Sequence, residues 1–212
     1  MFELDGVSLH WFGHASFMIE TSGKTIYIDP YILPDDPKKA DLILVTHEHF
    51  DHCAVENIMK IANSALIITT EGAAKKCNLN TKVVKEGDSV DLGWVNVKAV
   101  PAYNLNKPFH PRGLGVGFII EINDKKIYHA GDTDFIPEMK ELKGIDLALL
   151  PIGGTYTMDI DDAVNAVKAF SPRIVIPMHY NSLEGLERDP NEFKEKVESQ
   201  TNSKVVILSP EA

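Results

Sequence analysis

Cysteine is scarce in this sequence, with only Cys53 and Cys77 among 212 residues. Two cysteines cannot form the disulfide framework of a small secreted domain, so a reducing compartment is expected. The sequence also lacks any apolar run near the roughly 18 residues that a membrane span needs. Its first residues have neither the basic nor the apolar stretch of a secretory signal. We therefore predict a cytoplasmic protein without a membrane partner.

Basic residues are in the minority, with 21 lysines and arginines against 31 acidic residues and a net charge of −10. A general nucleic-acid binder needs a basic surface to displace counterions, so nucleic acid is excluded as the expected partner. The composition, 44% hydrophobic and 25% charged, is that of an ordinary globular protein with a sizeable core. The sequence does not indicate an oligomeric state.

An internal repeat organises the chain. Residues 17–27 resemble residues 118–128, and each segment predicts two strands joined by a tight turn, Ser22-Gly23 in one and Asn123-Asp124 in the other. Further elements follow in the same order in both halves. They are short apolar strands at 41–46 and 146–151, helices at 55–62 and 160–170, and strands at 65–70 and 173–178.

Two such halves, at about 7–100 and 115–208, each have an apolar sheet face to bury. Packing sheet on sheet with the helices outside satisfies both faces. We therefore predict an α+β fold, a four-layer αββα sandwich of two mixed sheets with pseudo-duplicated halves. Because no linker or low-complexity segment interrupts the chain, residues 1–212 are expected to form a single domain. A last helix near 191–199 and a closing strand at 204–208 complete the prediction.

The strongest functional signal is a cluster of polar residues directly after the apolar strand at 41–46. Three histidines and two carboxylates occur within six residues here: His47, Glu48, His49, Asp51 and His52. Strand ends are favoured positions for functional sites, and imidazole and carboxylate groups suit zinc, manganese or iron. The cluster therefore predicts a metal site.

The pattern His-x-His-x-Asp-His after a strand resembles the signature of the metallo-β-lactamase superfamily, whose fold is the duplicated αββα sandwich. The resemblance extends over nearly the whole chain, through residues 11–17, 28–30, 128–133, 150–154 and 176–180. In combination these segments are most similar to metal-dependent hydrolases related to ascorbate-phosphate lactonases and N-acylphosphatidylethanolamine phospholipase D. The resemblance implies a hydrolase with two divalent metal ions, for which zinc is expected and manganese or iron are alternatives.

The resemblance also implies a ligand set. His47 and His49 would hold the first metal, Asp51, His52 and His179 would hold the second, and Asp132 would bridge the two. The positions of Asp132 and His179 support this assignment, because each follows a predicted strand, as the His47–His52 cluster does.

One position departs from the family pattern, because Asn104 stands where a third histidine on the first metal is usual. There are three alternatives for this position: Asn104 coordinates weakly through its amide oxygen, His110 supplies an imidazole instead, or the first metal site is vacant. Of these we expect His110 to lie at or near the metals. Around it, Lys107 and Arg112 make a cationic loop suited to a phosphate or carboxylate, and with Asn104 they are the candidate substrate-binding residues. His14 is expected to be a partly buried histidine, with orientation of a ligand or contact with substrate as the alternatives.

The predicted activity is hydrolysis of an ester, lactone or phosphodiester of a small, anionic substrate by a metal-bound hydroxide. Asp51 and His110 are the candidate catalytic residues, with His110 or metal-bound water protonating the leaving group. A diiron oxygen or nitric oxide reductase is disfavoured, because that branch has glutamate at the position of His49 and carries a flavin module. The remaining alternative is a non-catalytic metal-binding regulatory or scaffold protein.

Overall fold

The computed structural model describes all 212 residues. The chain separates into two compact units. The first consists of Met1–Lys85 and Leu208–Ala212, and the second of Glu86–Ile207. The prediction of a single domain over 1–212 stays a prediction.

The first unit contains one seven-stranded sheet, in which the strands lie side by side in chain order. Strands β1 to β4 pair antiparallel, and β4 to β7 pair parallel. Helix α1, Val55–Ala62, connects β5 to β6, and helix α2, Glu71–Cys77, connects β6 to β7. The strands are β1 Phe2–Leu4, β2 Val7–Gly13, β3 Ser16–Thr21, β4 Lys24–Ile28, β5 Leu42–Val45, β6 Leu66–Thr69 and β7 Thr81–Val83.

The second unit repeats this arrangement with a second seven-stranded sheet. Strands β8 to β11 pair antiparallel, and β11 to β14 pair parallel. A short 3₁₀ helix, Pro137–Glu141, precedes β12, while α3, Ile160–Phe170, and α4, Pro190–Gln200, flank β13. The strands are β8 Ser89–Asp91, β9 Asn96–Ala102, β10 Gly115–Ile122, β11 Lys125–His129, β12 Leu147–Pro151, β13 Ile174–Met178 and β14 Lys204–Val205.

The predicted hairpins are confirmed by their turns. Ser22 and Gly23 have φ of 49° and 74°, and Asn123 and Asp124 have φ of 48° and 58°. Two consecutive left-handed residues make a turn whose twist matches that of the flanking strands, and asparagine, aspartate and glycine are the residues that tolerate it. The shared turn geometry and the shared strand order confirm the predicted duplication.

The helices cover one face of the sheet in each unit. In the first, Ile58 and Ile61 of α1 belong to one buried cluster with Ile43 and Val45 of β5 and Ile67 of β6. All four residues of β5 are buried, which explains why this parallel strand is apolar throughout, since it has no solvent side. None of the helices has the length and apolarity needed to cross a membrane.

Helix α3 has the bounds predicted from its sequence. Its buried side includes Ala163, Val167 and Phe170, at helical spacing. Asp159 caps its N-terminus by accepting a hydrogen bond from the Asp162 N–H at 2.8 Å. The structure also contains elements that were not predicted, namely α2, the 3₁₀ helix and the short strands β1, β7 and β8, and β14 ends at Val205 rather than at residue 208.

Candidate metal centre

The first group of candidate ligands lies at the carboxyl ends of β4 and β5. These strands are parallel neighbours, with Ile28 paired to Leu44, so the residues that follow them meet at one edge of the sheet. Asp29 follows β4, and Thr46 and His47 follow β5. The carboxyl edge of parallel strands is where ligand sites form in α/β sheets. The topology therefore explains why the histidine cluster starts at residue 47.

Asp29 is fully buried and organises this edge through hydrogen bonds. Its carboxylate accepts from the Thr46 N–H and from the Thr46 hydroxyl, both at 2.7 Å. Because that hydroxyl proton points to Asp29, the His47 Nδ1 atom, 3.0 Å from Thr46 Oγ1, must be a donor. The neutral His47 ring then carries its lone pair on Nε2, which lies 3.1 Å from His49 Nδ1. Asp29 thus sets the tautomer of His47 through Thr46.

The same carboxylate orients His52 directly. His52 Nδ1 lies 2.7 Å from Asp29 Oδ2, so the ring donates at Nδ1 and its Nε2 atom faces Asp51 Oδ2 at 3.9 Å. A carboxylate behind a histidine is the usual support for a metal-ligating imidazole. A tight turn, in which the backbone N–H of His52 donates to the His49 carbonyl at 3.1 Å, holds Asp51 and His52 in place.

His14 belongs to the same group of residues, although the sequence alone predicted only a partly buried histidine at this position. It is buried in the turn between β2 and β3, with a left-handed φ of 51°. Its Nε2 atom lies 3.1 Å from Asp51 Oδ2. The donor atoms of His14, Asp51 and His52 all lie within 4.8 Å of one another. The only sequence signal at this position is Gly13-His14-Ala15, which lies within the segment 11–17 that resembles the superfamily.

A second group of candidate ligands lies in the second unit and centres on Asp132. His110 Nε2 and His179 Nε2 lie 3.2 Å and 3.1 Å from the same oxygen, Asp132 Oδ2. All three side chains are buried. Asp132 follows β11 and His179 follows β13, as predicted, while His110 comes from the loop between β9 and β10. Asn104 and His110 were the two side chains considered for the missing ligand, and the imidazole of His110 lies beside Asp132.

Asn104 holds His110 in this position. The Asn104 amide nitrogen donates to the Tyr156 carbonyl at 2.9 Å, and its oxygen accepts from the His110 backbone N–H at 3.0 Å. These two backbone partners fix which end of the amide is oxygen. That oxygen also lies 3.2 Å from His110 Nδ1, so His110 is a donor at Nδ1. The lone pair of the neutral His110 ring is then on Nε2, the atom facing Asp132.

The donor spacing fits metal ions. Two atoms that each bind one ion at about 2.1 Å lie at most about 4.2 Å apart. The pairs His47–His49, Asp51–His52, His110–Asp132 and His179–Asp132 span 3.1, 3.9, 3.2 and 3.1 Å. A lone pair facing a carboxylate in a buried site also requires a cation or a proton between them. The residues present therefore fit divalent metal ions.

The two predicted substrate-binding cations are paired with carboxylates. Lys107 Nζ donates to Asp134 Oδ1 at 2.6 Å and to the Thr157 carbonyl at 2.7 Å. The Arg112 guanidinium contacts carboxylates of Glu86 and Glu138 at 3.0 and 2.9 Å. The loop is thus less cationic than its sequence suggests. Substrate binding by Lys107, Arg112 and Asn104 stays a prediction.

Two neighbours shape the surroundings of His179. Burial raises the pKa of Tyr180 to about 12, so its phenol stays protonated at neutral pH. A Cβ atom at Gly153 would lie 2.5 Å from the His179 carbonyl oxygen. Because real Cβ atoms essentially never come this close to backbone, only glycine lets the backbone of His179 pack here.

Comparison with known proteins agrees with this fold and donor set. Residues 8–179 match the family model of the β-lactamase superfamily domain. The chain therefore belongs to the metallo-β-lactamase superfamily, within which it is a metal-dependent hydrolase. This confirms the predicted family and fold class and removes the non-catalytic alternative. Membership of the lactonase and phospholipase D branch stays a prediction.

The relatives are similar over nearly their whole length. The chain is 38% identical to a UPF0173 metal-dependent hydrolase of Pelotomaculum thermopropionicum, covering 93% of this chain and 95% of the relative. It is 40% identical to a UPF0173 metal-dependent hydrolase of Nanoarchaeum equitans, covering 97% and 98%. Among solved structures, Igni18, a metallo hydrolase of Ignicoccus hospitalis, superposes with a TM-score of 0.82 at 35% identity, covering 96% of this chain and 95% of that chain.

Proposed function

We propose that this hydrolase binds two divalent metal ions, with zinc as the expected metal, and uses them to hydrolyse an ester, lactone or phosphodiester. His47 and His49 bind the first ion, Asp51, His52 and His179 bind the second, and Asp132 bridges them. The observation that carries the proposal is the donor geometry, in which histidine nitrogens oriented by Asp29 and Asn104 face one another or a carboxylate at 3.1–3.9 Å.

His110 takes the place of the third histidine on the first ion. Its support is the hydrogen bond from Nδ1 to Asn104, which directs Nε2 to Asp132 at 3.2 Å. Asn104 is then a positioning residue rather than a ligand, because its amide oxygen already accepts from His110 and its amide nitrogen donates to Tyr156. His14, 3.1 Å from Asp51, orients that ligand or adds a donor to the second ion.

Divalent ions held by these residues would supply two kinds of chemistry, a lowered pKa for a bound water, toward about 7, and polarisation of the substrate oxygen that gains charge. The side chains keep the site ready for this chemistry. Asp29 holds His47 and His52 in the tautomers that present Nε2, and Asp51 orients the nucleophile. No serine or cysteine nucleophile is required. As a ligand, His110 contributes to catalysis by holding the first ion.

The substrate is small and anionic in this proposal. Lys107 and Arg112 flank His110 in the chain and are the candidate contacts for the anionic group of the substrate. On binding, Lys107 would give up its ion pair with Asp134, and Arg112 would give up its ion pair with Glu86 or Glu138. A bidentate arginine contact with phosphate or carboxylate is strong enough to compete with an exposed ion pair, which contributes little. The cytoplasm is the proposed location.

A substrate panel with controlled metal loading tests the proposed activity. Protein stripped with a chelator and then reloaded with zinc, manganese or iron is assayed against an aryl phosphodiester, a carboxylic ester and a lactone. We expect hydrolysis of one class, absent in the stripped protein and restored by metal. The control is Asp36→Ala, which removes an exposed carboxylate outside the donor set and leaves the rate unchanged. Equal rates with and without metal would contradict the proposal.

A further inference from the structure

Cys53 and Cys77 form a pair of buried thiols that the hydrolase site does not use. Each is 4% exposed, and both are free cysteines. Their sulfur atoms lie 3.7 Å apart, in contact within the apolar cluster under α1. They are far apart in sequence, so their meeting is a property of the fold. They are also the only two cysteines in the chain.

A bond between the two thiols would link the segment that carries the candidate metal ligands to the end of α2. Cys53 directly follows His52, and its backbone N–H donates to the His49 carbonyl at 2.8 Å. Cys77 is the last residue of α2, and Asn78 after it ends the helix in a left-handed conformation, with φ of 47°. A disulfide needs an S–S distance of about 2.05 Å, so the sulfurs must approach by roughly 1.7 Å. One cysteine lies in a loop and the other at a helix end, the two places where an approach of this size meets the least resistance from the backbone.

We propose that Cys53 and Cys77 are a redox-sensitive modification site, which forms a reversible disulfide on exposure to a peroxide and so ties the His47–Cys53 segment to α2. Reversible disulfides in reducing compartments are typically redox-sensing rather than structural. A peroxide is small enough to reach thiols with this little exposure, whereas a bulky disulfide such as oxidised glutathione is not.

The reaction is balanced with one peroxide molecule. The Cys77 sulfur attacks hydrogen peroxide, the O–O bond breaks, and a sulfenic acid forms with release of one water. The Cys53 sulfur then attacks the Cys77 sulfur, the S–O bond breaks, and the second water leaves as the S–S bond forms. The two sulfurs lose two electrons and the peroxide gains them. A hydrogen bond from Cys53 lowers the pKa of the Cys77 thiol, which favours Cys77 as the first nucleophile.

Thiol counting and peptide mapping test the formation of this bond. The purified full-length chain is treated with hydrogen peroxide, denatured, alkylated and digested. We expect both thiols to disappear together, a Cys53–Cys77 linked peptide in a monomeric protein, and full recovery of both thiols with dithiothreitol. Retention of one free thiol, a sulfinic acid on either cysteine, or a disulfide between chains would overturn the proposal.

Hydrogen exchange tests the link to the metal-binding segment. We expect amide exchange in residues 47–55 to slow by about tenfold in the disulfide form, because the crosslink restricts local opening. The melting temperature is expected to rise by about 5 °C, as a disulfide constrains the unfolded chain. Cys77→Ala, treated identically, is expected to show neither change. A linked peptide without slower exchange in residues 47–55 would overturn the proposed coupling to the site.

Discussion

Replacing Asp132 by asparagine is expected to lower the hydrolysis rate by about 1,000-fold, equivalent to about 4 kcal/mol of transition-state stabilisation. The Asp132 carboxylate lies within 3.2 Å of the Nε2 atoms of both His110 and His179, and it is the proposed bridge between the ions. Asparagine has nearly the same shape but no charge and a single amide oxygen. The metal content of Asp132→Asn is therefore expected to fall below one ion per chain, while the fold is retained.

The rate of Asp132→Asn is measured on whichever substrate class the panel identifies, together with metal content and melting temperature. The matched control is Asp124→Asn, the same chemical change at the turn between β10 and β11. Asp124 has a left-handed φ of 58°, which asparagine tolerates, so this variant is expected to keep both ions and the full rate. If Asp132→Asn retained two ions and an unchanged rate, Asp132 would not be a bridging ligand.

Replacing Asp29 is expected to weaken metal binding without touching a proposed ligand. The Asp29 carboxylate accepts hydrogen bonds from Thr46 N, Thr46 Oγ1 and His52 Nδ1. In Asp29→Asn one of its two oxygens becomes an NH₂ group, which cannot accept a hydrogen bond. At least one buried donor then lacks an acceptor, which costs about 1–3 kcal/mol of unfolding free energy. Loss of such support for ligating histidines typically lowers metal affinity by about 10- to 100-fold.

Metal affinity and thermal unfolding are measured in parallel for Asp29→Asn. The control is Asp41→Asn, a carboxylate at the opposite end of β5 that accepts from the Thr25 N–H and from Lys24. It is expected to lose some stability but no metal affinity. The hydrogen bond from Lys24 holds the pKa of Asp41 below its usual value. The stability that ionised Asp41 contributes is therefore present at neutral pH, and it is lost as the pH falls through that lowered pKa. Equal metal affinity in Asp29→Asn and the wild type would rule out the orienting role.

The elements predicted from the sequence were those specified by local patterns. Helices α1 and α3 follow from apolar spacing and, for α3, from the Asp159 cap. Both hairpins follow from two-residue turns whose residues accept a left-handed backbone. Helix α2 was missed because its seven residues, Glu71–Cys77, are too few to show a helical period. The closing strand was predicted too long, since pairing with β13 rather than β-propensity decides where β14 ends.

Of the candidate site, the sequence predicted the residues that are contiguous but not those that act through tertiary contacts. His47–His52 is contiguous, so its spacing alone indicated a metal site. The role of Asp29 depends on the pairing of β4 with β5, which brings residues 29 and 46 together across 17 positions. Likewise the position of His110 depends on how the loop after β9 folds, and this loop is held by hydrogen bonds of Asn104 to His110 and to Tyr156, the second of which joins residues far apart in the sequence. Side chains that act through tertiary hydrogen bonds leave no local pattern in a single sequence.

Metal content is the most direct test of a dinuclear centre in which His110 replaces the usual third histidine. The wild type, His110→Ala, Asn104→Ala and, as a control histidine outside the donor set, His10→Ala are reloaded with zinc, desalted and measured by elemental analysis. The predicted result is two ions per chain in the wild type and in His10→Ala, one in His110→Ala, and an intermediate value in Asn104→Ala. One ion per chain in all four proteins would contradict the account and require a mononuclear mechanism.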